Sequence, residues 1–125
     1  MKKIFLIEDD VNLCGILSKM LKFEGIEVMV AHSGLAAREI LERINSADAI
    51  DAILCDVMMP GMDGYEFLEY VKQSGKFAAI PFIFISACVS KDEEEKGLSM
   101  GAKAFLKKPI NILTILSTLN NFSRN

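Results

Sequence analysis

Several side chains in this sequence have the chemistry to handle a metal ion and a phosphoryl group, and each stands at the end of a short apolar run. Glu8, Asp9 and Asp10 follow Ile4-Phe5-Leu6-Ile7, and Asp56 follows Ala52-Ile53-Leu54-Cys55. Ser86 follows Pro81-Phe82-Ile83-Phe84-Ile85, and Lys108 comes shortly after Ala104-Phe105-Leu106. Carboxylates brought close together repel and raise one another's proton affinity. A hard divalent cation removes that conflict. Mg²⁺ takes oxygen ligands in octahedral geometry and is commonly held by one or two carboxylates with waters and phosphate oxygens. A lysine ammonium is a compact charge suited to a phosphoryl anion, a serine hydroxyl can donate to one of its oxygens, and an ionised aspartate can itself be the nucleophile. Taken singly, each group has a plainer reading: an acidic trio caps a helix, an aspartate ends a strand, a serine is structural, a lysine is solvated. Only convergence would make a site, and that depends on the elements carrying them.

Those elements alternate. The apolar run at residues 4–7 reads as a strand buried on both faces. Residues 11–23 follow with Leu13, Ile16, Leu17, Met20 and Leu21 at helical spacing, and Gly25 ends that helix. Residues 27–31 read as a second strand, leading only to Ala31-His32-Ser33. Ser33 suits the cap of a helix over 35–44. A third strand at 52–55 is interrupted by Asp56. A third helix covers 65–71 and is closed by Gly75, and a fourth strand covers 81–85. Ser90 with Asp92, Glu93 and Glu94 suits the first turn of a fourth helix, where carboxylates favour the positive end of the helix dipole, and Gly101 ends it. A short strand at 104–106 and a closing helix at 111–122 complete the chain. Strands alternating with helices imply parallel strands joined by right-handed crossovers, hence a doubly wound open sheet. Ligands of such sheets bind outside the carboxyl ends of the strands, where the acids, the hydroxyl and the lysine are expected to meet.

Composition narrows the function. The 125 residues are 51% hydrophobic, enough for one core and one domain over residues 1–125. The net charge of −3 and the lack of a basic cluster beyond Lys103, Lys107 and Lys108 argue against direct nucleic-acid binding. Three widely spaced cysteines (Cys14, Cys55 and Cys88) and a single histidine (His32) offer no zinc set and read as buried thiols in a reducing compartment. The apolar run after Met1-Lys2-Lys3 is too short for a secretory segment or a membrane span, so the expectation is a soluble, cytoplasmic protein without a membrane partner.

The motifs resemble the CheY-like response-regulator receiver domain of two-component signalling. The resemblance runs from about Lys3 to Asn121 and is most specific in Ile53-Leu54-Cys55-Asp56-Val57-Met58-Met59-Pro60-Gly61-Met62-Asp63-Gly64. Residues 4–10 resemble the first strand with its acidic pair, Phe82–Ala87 the fourth strand, and residues 101–109 the Gly-Ala, aromatic and Lys-Pro segment. The resemblance implies a flavodoxin-like α/β fold, a five-stranded parallel sheet in order 2-1-3-4-5 flanked by five helices. It implies that Asp56 accepts the phosphoryl group. Asp9, Asp56 and the Met58 backbone carbonyl would hold Mg²⁺, and Glu8 would act through water. Lys108 and Ser86 would contact phosphoryl oxygens, Phe105 would be the switch aromatic, and the 108–109 peptide would be cis. Ser86 stands where threonine is more frequent, Phe105 where tyrosine is, and Ile110 where an aromatic is common; none of these removes a required charge. Met58 and Cys88 match positions beside the path of the hydrolytic water, and neither orients water well, so a long-lived phosphoryl group is expected.

The implied function is a phosphorylation-controlled switch. A sensor histidine kinase or phosphotransfer protein would donate to Asp56. The surface of the fourth helix, fifth strand and last helix, near Met100, Lys103 and Lys107, would then engage a target, an output domain or a second copy as a homodimer. The domain is read as an acceptor that assists its own phosphorylation, not as a turnover enzyme. Two alternatives compete. One is an Asp-nucleophile phosphohydrolase, which wants an acid two residues beyond its nucleophile, where this chain has Met58. The other is a receiver-fold binding or dimerisation module that is never phosphorylated.

Overall fold

A computed structural model of the chain describes residues 3–44, 49–87 and 90–122. In chain order the elements are β1 (Lys3–Ile7), α1 (Val11–Phe23), β2 (Glu27–Ala31), α2 (Gly34–Arg43), β3 (Ala52–Asp56), α3 (Gly64–Gln73), β4 (Phe82–Ser86), α4 (Lys91–Ser99), β5 (Ala104–Lys107) and α5 (Ile112–Phe122). The strands form one sheet in order β2-β1-β3-β4-β5, and every neighbouring pair is parallel. This is the expected flavodoxin-like α/β architecture.

The apolar runs explain why both faces of the sheet are covered. Successive residues of a strand point to opposite faces, so a continuous apolar run feeds two cores at once. Phe5, Ile7, Ile53, Cys55, Phe82 and Phe84 pack with Ala37 and Leu41 of α2 and Phe67, Leu68 and Val71 of α3. Ile4, Leu6, Leu54, Ile83 and Ile85 pack with Cys14, Leu17 and Leu21 of α1 and Ile115 and Leu119 of α5. Each such large side chain contributes about 1.5–3 kcal/mol on burial.

Element ends moved by one or two residues. β3 includes Asp56 and β4 includes Ser86, because pairing of Asp56 with Ile85 and of Ser86 with Lys107 extends each ladder one step. β5 reaches Lys107 for the same reason. Ser33 caps α2 at Gly34 by accepting from the Ala36 N–H, and the Asn111 side chain accepts from Leu113 N–H at 2.7 Å, so α5 starts at Ile112. Gly25 and Gly101 end their helices at φ +83° and +112°, as expected. Among the described residues no helix is long and apolar enough to cross a membrane. Cys14 and Cys55 are buried free thiols, and burial pushes the Cys55 thiol well above its ordinary value. Cys88 lies outside the described residues, so the expectation about the water path beside it stands without a structural counterpart.

Candidate functional site

Parallel register carries the chemistry to one edge. Ile7 pairs with Cys55 and Asp56 with Ile85, so the residue following β1 and the last residue of β3 emerge side by side. The ladder continues past the strand ends. Glu8 N–H donates to the Ala31 carbonyl at 3.0 Å, Val57 N–H to Ile85 at 3.2 Å, and Lys108 N–H to Ser86 at 2.7 Å. These bonds fix the backbone under Glu8, Asp56 and Lys108.

The acidic trio divides its work. Asp10 is the N-cap of α1, its side chain accepting from the Leu13 N–H at 3.0 Å, while its own N–H donates to Glu8 Oε2 at 3.1 Å. Glu8 is fully buried and Asp56 is 4% exposed. Asp9, more open than either, completes a cluster in which carboxylate oxygens of Glu8, Asp9 and Asp56 lie within 4.8 Å of one another. Lys108 Nζ stands 2.7 Å from Glu8 Oε1 and 3.4 Å from Asp56 Oδ2. The Lys108 ammonium is therefore the close partner of the buried Glu8 carboxylate and only the more distant partner of Asp56.

The electrostatics follow from three carboxylates facing one ammonium. The Asp56 carboxyl is pushed up from 3.8 to about 7, first by burial, then by proton sharing with and the charge of Glu8, with Lys108 opposing. Burial alone would lower the Lys108 ammonium, but the Glu8 and Asp56 carboxylates outweigh it and hold it above its ordinary value. An all-oxygen cluster of three carboxylates, two of them buried and faced by one ammonium, fits a hard divalent cation.

The remaining expected residues lie on neighbouring elements. Ser86 is buried at the end of β4, next to β5. Phe105 is half-buried on β5, its ring 5.2 Å from Phe84. Met58 lies two residues beyond Asp56 with its side chain exposed to solvent. The Lys108–Pro109 peptide is cis. Gly64 opens α3 hard against the site: its N–H donates to the Val57 carbonyl at 2.8 Å, and any Cβ there would overlap the Asp56 carbonyl oxygen. The sequence assigns His32 no role, yet its Nδ1 lies 3.1 Å from the Glu8 carbonyl; its position at the end of β2, beside β1, is the available signal.

Residues 4–120 match the family described as response regulator receiver domain. Among curated proteins, the transcriptional regulatory protein CpxR of Escherichia coli strain K12 is 38% identical over 111 residues, covering 89% of this chain and 44% of its own length. This chain thus spans about half the length, or less, of such relatives. Among solved structures, the Vibrio cholerae chemotaxis protein CheY4 superimposes with a TM-score of 0.88 at 29% identity over 98% of both chains. The non-phosphorylated HemR receiver domain of Leptospira biflexa gives 0.83 at 29% identity over 98% of this chain and 94% of its own.

Proposed function

Because this chain belongs to the response regulator receiver domain family, we propose that it is a phosphoacceptor switch whose acceptor is Asp56. The observation that carries the reading is the Lys108 ammonium reaching both Glu8 and Asp56 in a buried pocket of three carboxylates. In the proposed reaction an Asp56 carboxylate oxygen attacks phosphorus. The bond from phosphorus to the donor's imidazole nitrogen breaks, the electron pair leaves with the imidazole, and an aspartyl phosphate remains. Asp9, Asp56 and the Met58 carbonyl would hold Mg²⁺, with Glu8 acting through water. When bound, Mg²⁺ supplies charge neutralisation to the pocket. In this reading Lys108 leaves Glu8 for a phosphoryl oxygen, and Ser86 donates its hydroxyl to another. Positioning and neutralisation account for most of the catalysis in phosphoryl transfer.

The new charge would draw Ser86 toward it and free Phe105 to repack, biasing the surface of α4, β5 and α5 between two arrangements. The donor is a sensor histidine kinase or phosphotransfer protein. The reader of the altered face is a target protein, an output domain or a second copy of the chain. The domain acts as an acceptor in the cytoplasm and turns over no substrate of its own. Absence of nucleic-acid contact is proposed for this domain's own surface, since its acidic balance is a property of these residues alone. Intact-mass analysis with a small acyl phosphate and Mg²⁺ tests the chemistry. One phosphoryl group on the wild type and none on Asp56→Asn is expected; equal labelling of both, or of neither, overturns the assignment.

A further inference from the structure

The helix α4 has almost no apolar surface of its own, and the contacts holding it to the molecule are few enough to name. Of its residues only Gly97 is buried. Gly97 rests on two rings, so that a Cβ there would meet Phe84 at 3.1 Å and Phe105 at 3.2 Å. The other anchor is Tyr65, near the start of α3. Its hydroxyl donates to the Glu93 carbonyl across 3.1 Å. Its ring lies 5.2 Å from that of Phe84, and the Lys96 ammonium stands 4.2 Å over its centroid. Glu93 and Lys96 are three residues apart and so share one face of α4. One phenol thus grips two successive turns of the helix.

The backbone bearing that phenol is tied to the acceptor. Gly64, which precedes Tyr65, bonds to Val57 and leaves no room for a side chain against the Asp56 carbonyl oxygen. The route from Asp56 through Gly64 and Tyr65 leaves the acceptor on a different strand end from the route through Ser86 and Phe105, and the two meet at Phe84 beneath α4. We propose that Tyr65 is a latch that holds α4 on the Phe84–Phe105 floor in the resting protein, so that releasing it shifts the population toward an arrangement with α4 detached. The inference rests on the proposed switch only in taking α4 as part of the surface that changes.

Hydrogen exchange of the whole chain, without phosphodonor or Mg²⁺, tests the latch directly, since segments open locally with their own free energies. Tyr65→Phe keeps the ring and removes one hydroxyl, so amides of residues 91–99 should exchange roughly 3–10-fold faster while those of α3 and β4 hold their rates. Lys96→Gln, which keeps the hydroxyl bond, should give a smaller increase of about 2-fold in the same helix. Unchanged α4 exchange in Tyr65→Phe, or acceleration spread evenly over α3, β4 and α4, overturns the latch. With an acyl phosphate and Mg²⁺, Tyr65→Phe should label faster than wild type, and an equal or slower rate overturns the coupling to Asp56. Failure of both proteins to label would overturn the phosphoacceptor reading alone, and the exchange rates would still decide the latch.

Discussion

Two helices of this molecule begin alike and are held differently. Both α3 and α4 open on a capping box, Asp63 with Glu66 in one and Ser90 with Glu93 in the other, each pair exchanging side-chain and backbone hydrogen bonds. Behind the cap, α3 buries Gly64, Tyr65, Phe67, Leu68 and Val71, whereas α4 buries Gly97 alone. A cap decides where a helix starts; apolar packing decides whether it can leave. The element beside Asp56 is therefore built into the core, and the element expected to change shape is docked on it.

The sharpest way to break this comparison is to empty the α3 core. Phe67→Ala should cost about 4 kcal/mol of global stability in urea unfolding, and a loss below about 2 kcal/mol would mean that α3 is not anchored as described. The two glycines come next. Gly64→Ala sets a methyl against the Asp56 backbone, which has nowhere to go, and should cost about 3 kcal/mol in the same assay. Gly97→Ala meets only ring edges and gains helix propensity of up to about 1 kcal/mol, so its net effect should stay within about 1 kcal/mol of wild type.

A third prediction concerns Asp56 at the end of β3. Asp56 holds its proton up to about pH 7 in the folded chain, against an ordinary value of 3.8. Between those values the folded state binds more protons than the unfolded state. In chelator, stability should therefore fall as pH rises from about 4 to about 7 and level off above. Asp56→Asn should remove most of that slope and stabilise the cation-free protein at pH 8 by about 2 kcal/mol, checked by unfolding at several pH values. A steeper slope in the variant would contradict the assignment. The smallest effects should separate the caps. Asp63→Ala and Ser90→Ala each remove a similar local bond worth about 1 kcal/mol. The first should appear as lower global stability, and the second chiefly as faster exchange within α4.

Much of this was legible before any coordinates. Alternating apolar runs and helical stripes carry the doubly wound sheet, since a strand buried on both faces cannot tolerate polar interruptions, and the acids were visible because they are the interruptions. The capping residues of α2 and α4 were readable because a cap is a local bond between neighbours in sequence. Contacts across long separations were not. Tyr65 falls within the helix read at 65–71, and that reading assigns its hydroxyl nothing. Its hydroxyl partner is 28 residues away, and nothing in either segment announces the other. The His32 contact with Glu8, 24 residues apart, escaped for the same reason.

The sequence by itself determined which groups stand at the strand ends, because side-chain type and the two-residue period of a strand are properties of neighbouring residues. Only the tertiary structure decided how those groups share the pocket. Glu8 became fully buried, and Lys108 came closer to it than to Asp56. The reason is physical: charge and length belong to a residue, but the distance between two charges belongs to the packing that sets their backbones in place.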